Sequence, residues 1–229
     1  MPSQTRTKAT AGGAKVKSKS NRRSPVNVRV KTSRDLPILP IAVGAILVVL
    51  AIGLGVYGYI NSSSGKPAQA AGIPCDQLEH TQVHYHAALQ ILYHGNLAPI
   101  EGGIGISGGE TAPTCYYWLH VHSANQDVIH IESPIGQTFT LGQFFTVWNT
   151  WSIAQGGPSE PLDSKHVSTF TLTSSDTLVV YVDAADGKGP QLYTGDPKKI
   201  VLKTHEVITL EISPPTVAPP PAFTFTSGL

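Results

Sequence analysis

Apolar residues fall into three regimes along this chain. Residues 1–35 are polar, with no aromatic side chain and almost no apolar periodicity. From Leu36 to Gly65 there is no charged residue, and LPILPIAVGAILVVLAIGLGVYGYI (36–60) is a nearly unbroken apolar run of 25 residues. A run of that length crosses about 30 Å of hydrocarbon with some tilt. Pro37 and Pro40 sit at its start, where a missing backbone donor costs little. Tyr57 and Tyr59 sit at its far end, where amphipathic rings favour the interface. The pattern predicts one transmembrane helix over 36–60.

Beyond Gly72 the pattern changes to short runs rich in Val, Ile, Thr and Tyr, separated by turn clusters such as His94-Gly95-Asn96 and Asp186-Gly187-Lys188-Gly189. Strands are predicted at Val83–Tyr93, Tyr116–His122, Val128–Glu132, Ser168–Thr173, Thr177–Asp183, Gln191–Thr194 and Lys199–Ser213, the last bent or interrupted. Their spacing predicts a mainly β domain, a β-sandwich or barrel that includes the cupredoxin-like arrangement among its forms. One segment departs from this. Thr140 and Gln143 fit a capping box, and Leu141, Phe144, Phe145 and Trp148 recur at helical spacing, which predicts one short helix with an aromatic face packed on the sheet. The Gly-rich stretch 102–109 is not followed by a helix with a P-loop Lys, so it reads as a turn or bulge.

The domain order follows. Residues 1–35 form a disordered basic cytoplasmic tail, 36–60 a transmembrane helix, 61–72 a flexible Ser/Gly/Ala stalk, 73–213 an extracytoplasmic His-rich β-domain, and 214–229 a Pro-rich tail suited to a spacer or peptide ligand. No repeat of solenoid length appears.

The net charge of +1 hides an asymmetry. Residues 1–35 hold ten of the sixteen Lys/Arg and one of the fifteen acids, so the remainder is acidic and also carries all nine histidines. Basic residues directly before an apolar span act as a topogenic signal and a contact for anionic lipid. They place the N-terminus in the cytoplasm and the rest outside, with the bilayer as partner through 36–60 and no nucleic acid expected. Ala68-Gln69-Ala70 has the small-x-small form of a signal cleavage site, but the apolar run far exceeds the roughly 7–15 residues of a signal core. The two cysteines, Cys75 and Cys115, both fall in the exported part and predict one disulfide.

Five of the nine histidines fall in three groups, His84-Tyr85-His86, His120-Val121-His122 and His130-Ile131-Glu132, while His80, His94, His166 and His205 have no such pairing and read as surface or turn residues. On a strand, residues i and i+2 share a face about 6.6 Å apart, so an H-x-H offers two imidazoles to one side. If the turn 123–127 pairs His122 with Val128, His120 faces His130 and Trp118 faces Glu132. His120, His122 and His130 then form a triangle with Glu132 at its edge, and a slip of one residue breaks it. A neighbouring strand with His84 and His86 brings up to five imidazoles together. The solvated polar face of a sheet is the alternative. The chain's only methionine is Met1 and its cysteines are expected to be paired, which argues against a blue-copper site even in a cupredoxin-like fold, while imidazole coordination suits a Zn or Cu ion.

Three functions fit: a membrane-anchored metal-binding domain that sequesters, senses or delivers Zn or Cu through His84, His86, His120, His122 and His130; an enzyme with a three-His site, an open water position and Glu132 as base; or a structural domain of the cell envelope without metal.

HYHAALQILYHG, YYWLHVHSANQDVIHIESP, FTLGQFF and YTGDPKKIVLKTHEVITLEI together resemble an uncharacterised group of bacterial and archaeal membrane-anchored proteins over most of residues 75–213. That resemblance implies the domain limits and no activity. Trp118-Leu-His-Val-His122 is also loosely similar to the H-x-H strands of multicopper oxidases, though the chain lacks their His-Cys-His motif and their several domains.

Overall fold

The computed structural model describes residues 38–62 and 69–229. The expected basic tail and residues 63–68 of the expected stalk lie outside the described residues. Two units are distinguished, Met1–Asn61 and Ser62–Leu229. In the first, α1 (Ile38–Ser62) is the one described helix long and apolar enough to cross a membrane, through the window Pro40–Tyr57. Its side chains between Ile41 and Tyr57 are exposed, and none of them is charged.

The second unit is mainly β. β1 (Gln69–Ala70) and β2 (Ile73–Asp76) precede the long β3 (Val83–Tyr93), which turns through His94 and Gly95, both at positive φ, into β4 (Asn96–Ala98). β5 (Ile106–Ser107), β6 (Cys115–Tyr117), β7 (Leu119–His120) and β8 (Val128–Ser133) follow, then α2 (Leu141–Ala154). β9 (His166–Val167), β10 (Phe170–Thr171), β11 (Thr177–Asp183), β12 (Gln191–Leu192) and β13 (Val207–Ser213) complete it.

A seven-stranded sheet runs β12-β11-β13-β3-β8-β7, with β4 added beside β3. A four-stranded sheet runs β1-β2-β6-β5. The large sheet is open, with β12 and β7 at its ends, so the barrel alternative is corrected: no sheet closes among the described residues. The physical reason is the short pairing at both ends, two residues at β7 and two at β12. β13 and β3 pair in parallel and all other ladders are antiparallel.

Alternation along the strands divides the large sheet into two faces. Ala87, Leu89 and Ile91 of β3, Ile129 and Ile131 of β8, and Ile208, Leu210 and Ile212 of β13 are buried in one core cluster with Leu141, Phe144, Phe145, Val147 and Trp148 of α2. α2 begins at the expected capping box: the Gln143 N–H donates to Thr140 Oγ1 and the Thr140 N–H to Gln143 Oε1. It continues to Ala154, past the expected short helix, and Trp151 at its end donates to the Ile106 carbonyl.

The opposite face is polar. It carries His84, His86 and Gln90 of β3, His130 and Glu132 of β8, and Thr209 and Glu211 of β13. The chain after β13 packs on this face: the Val217 N–H donates to Glu211, and a cleft of about 200 Å³ lies between Gln90, Thr209 and Pro219–Phe223. The Pro-rich segment is thus part of the domain's packing. β1 likewise lies within the stretch expected as stalk, paired with Ile73 and Pro74.

Candidate metal centre

Pairing of β3, β8 and β7 builds the centre. β8 lies between the other two, with His86 and His120 each opposite His130, and His84 opposite Glu132. The Glu132 N–H donates to the Trp118 carbonyl, the register that the spacing of the two His motifs predicts. The Tyr116–His122 segment is cut at Trp118: its first part pairs in the small sheet and its second in the large one. His122 lies past the end of β7 and caps a 3₁₀ turn, Ser123–Asn125.

Ligand atoms gather in three overlapping groups whose members lie within 4.8 Å of one another: His84, His86 and His130; His120, His122 and His130; and Glu79, His120 and Glu132. The five imidazoles therefore form two triads that share His130, where the sequence reading had them meet at one point. His84 Nε2 and His86 Nε2 are 3.1 Å apart, as are His120 Nε2 and His122 Nε2. Two nitrogens bound to one ion at about 2.1 Å stand roughly 3.0–3.4 Å apart, from octahedral to tetrahedral angles.

The hydrogen bonds behind the rings fix their tautomers. His120 Nδ1 is 2.9 Å from the Tyr117 carbonyl oxygen, which only accepts, so Nδ1 carries the hydrogen and Nε2 a lone pair. His122 Nδ1 is 3.2 Å from Glu110 Oε1, and the same carboxylate oxygen accepts the Ser123 N–H. Two lone pairs then point at each other across 3.1 Å, which calls for a cation between them, a shared proton or a metal ion. Burial opposes the proton on His120, holding its pKa down at about 3.

His86 is similarly depressed, to about 4, first by burial and then by His130 and His84. His130 is buried, and both of its ring nitrogens lack a hydrogen-bond partner. Burial pushes the Glu132 carboxyl up, but His130, His120 and His84 outweigh it and hold the group below its ordinary value. Its Oε1 stands 3.2 Å from His84 Nε2, 3.6 Å from His130 Nδ1 and 3.9 Å from His120 Nε2. An ionised carboxylate so placed can ligate a cation or take a proton.

Two acids escaped the sequence reading. Glu79 Oε1 lies 3.3 Å from His122 Nε2 and 3.6 Å from His120 Nε2, and Glu110 orients His122 from the end of the Gly-rich loop. Neither sits in an H-x-H or H-x-E pattern. The weak signal for Glu79 was its position shortly after Cys75, which the disulfide to Cys115 ties to β6. Asp76 strengthens that tie by accepting from Trp118 Nε1 and contacting His80 Nε2, both at 2.7 Å. His80 thus stands at the rim beside Trp118. His94 and His205 contact the C-terminal segment, and His166 contacts Asp163. His84 is the most exposed of the five imidazoles, His122 and Glu79 are partly exposed, and His86, His120 and His130 are buried, so each triad has one imidazole open to solvent. With both cysteines in the disulfide, no thiolate reaches it.

No family model, curated protein or solved structure matches this chain.

Proposed function

We propose that the protein is a membrane-anchored extracytoplasmic metal-binding domain that takes up Zn²⁺ or Cu²⁺ through His84, His86, His120, His122 and His130, and sequesters, senses or delivers it. In this reading α1 spans the bilayer, the basic residues 1–35 lie against anionic lipid on the cytoplasmic side, and the disulfide reflects an oxidising compartment. The observation that carries it is the pair of facing Nε2 lone pairs of His120 and His122, their Nδ1 hydrogens already committed to Tyr117 and Glu110. Outer partners of this kind are what metal-ligating histidines use to fix ring orientation. An all-imidazole set with carboxylates and no thiolate suits these two ions.

The test is metal content. The full chain, purified in detergent and stripped with chelator, is challenged with Zn²⁺ and with Cu²⁺, freed of excess ion and assayed by elemental analysis. Retention of at least one ion per chain, lost in the double variant His120→Ala, His122→Ala, is expected. A chain that retains neither ion leaves a proton-shared histidine pair on a polar sheet face and ends the reading.

A further inference from the structure

His130 belongs to both imidazole triads, and it is buried with two unpartnered ring nitrogens. A ring that serves one ion through one nitrogen donates its other N–H to a carbonyl or carboxylate, as His120 does to Tyr117 and His122 to Glu110. His130 has no such outer partner. The nearest carboxylate oxygen, Glu132 Oε1, is 3.6 Å from Nδ1, beyond a normal hydrogen bond, and it also faces His84 and His120.

The rings around His130 are placed on two sides. His86 meets it edge-on from β3 with centroids 4.5 Å apart, and His122 meets it edge-on from the far end of β7 at 4.6 Å. Each brings a partner with its Nε2 3.1 Å away, His84 and His120 respectively. Of the carboxylates, Glu79 is closest to His122 and His120, while Glu132 Oε1 lies between the two sides, 3.2 Å from His84 Nε2 and 3.9 Å from His120 Nε2 and grouped with Glu79 and His120.

We propose that the centre holds two divalent ions bridged by the imidazole ring of His130, one ion on His84, His86 and one His130 nitrogen, the other on His120, His122 and the second nitrogen. This rests on the metal-binding reading and specifies its stoichiometry. Glu79 serves the second ion, and Glu132, within 3.9 Å of His84, His130 and His120, stands between the two. A neutral imidazole has one lone pair, so binding of the second ion displaces the remaining N–H proton to water and leaves a bridging imidazolate. Each nitrogen then forms one bond to metal, and the two ions stand roughly 6 Å apart, given bonds of about 2.1 Å on either side of the ring.

The probe is Cu²⁺, with the full chain in detergent. Elemental analysis should give two Cu per chain, and spin coupling through the imidazolate should bring the low-temperature EPR intensity to less than half that of two independent Cu²⁺ spins. His130→Ala should abolish the coupling. Because that variant changes a buried position, a second one avoids the bridging residue: His84→Ala with His86→Ala should leave one Cu per chain and restore the full signal of a single uncoupled spin. Two Cu per chain with the full intensity of two uncoupled spins overturns the bridge. One Cu per chain overturns the two-ion centre while the metal-binding reading stands, and no retained Cu or Zn ends both.

Discussion

Glu110 holds His122: its Oε1 accepts from His122 Nδ1 at 3.2 Å and from the Ser123 backbone N–H at 2.7 Å, and these contacts keep the carboxyl below its ordinary value despite partial burial. A ligating histidine loses basicity and orientation when such an outer carboxylate is neutralised. Glu110→Gln should therefore weaken metal affinity about 10- to 100-fold with little change in the melting temperature of the metal-free chain. Competition titration against a chelator of known affinity measures this. An unaltered Kd would show that Glu110 is a loop residue and nothing more.

Acid should unfold the metal-free chain through two histidines and against one glutamate. Burial holds His86 at about 4 and His120 at about 3, below the ordinary value of 6.5. The unfolded chain binds those protons more readily, so both groups lower stability as pH falls below 6.5 and down through their folded values. Glu206 acts in the other sense. Burial raises it to about 7 and leaves its Oε1 without a partner, so its contribution is full below 4.5 and is lost as pH rises through about 7. Glu206→Gln removes this opposing slope. In the presence of chelator, the melting temperature of that variant should climb more steeply than that of the parent from pH 4.5 to 7. Parallel curves would show that Glu206 is ionised in the folded chain.

Much of this architecture is legible in local patterns. Val83–Tyr93 and Thr177–Asp183 are strands at the residues where β-branched and aromatic side chains run between turns, and Thr140 with Gln143 fixes the start of α2. The His120–His130 register follows from the five-residue turn 123–127 between the two strands. What local pattern does not carry is the division of one run between two sheets at Trp118, or the parallel pairing of β13 with β3, because both depend on partners more than 30 residues away. Glu79 was hidden for the same reason, and Glu110, 12 residues from His122, by its place in an irregular loop. They reach the histidines from loops placed by the disulfide and by glycine turns, and loop acids carry no periodicity to read.

Cys75 and Cys115 close a loop of 40 residues that holds both acids. A cross-link of that span restricts the unfolded chain by about 2–4 kcal/mol. The double variant Cys75→Ser, Cys115→Ser should lose stability of that order in denaturant titration. It should also bind metal less tightly, because β2 and the Asp76–Glu79 segment are no longer tied beside Trp118 and His122. Reduction of the parent should reproduce both effects. Unchanged stability on reduction would mean that the β2–β6 pairing suffices alone.

Gly105 sets the depth of the centre on the β7 side. It has φ +76°, a left-handed conformation that costs a residue with a Cβ about 1–3 kcal/mol, and a Cβ there would come within 2.7 Å of the Leu119 carbonyl oxygen and 3.1 Å of His120 Cβ. Two backbone bonds lock the same stretch, from the Tyr117 N–H to the Gly105 carbonyl and from the Val121 N–H to the Ile104 carbonyl. The loop therefore cannot retreat without pulling on the strand that carries His120. Gly105→Ala should destabilise the domain by about 1–3 kcal/mol, and it should weaken metal binding too, since the Leu119 carbonyl that must move belongs to the peptide joined to His120. Denaturant melts and chelator competition on the same samples separate the two effects. Lost stability with unchanged affinity would place the strain in the loop and leave His120 where it is.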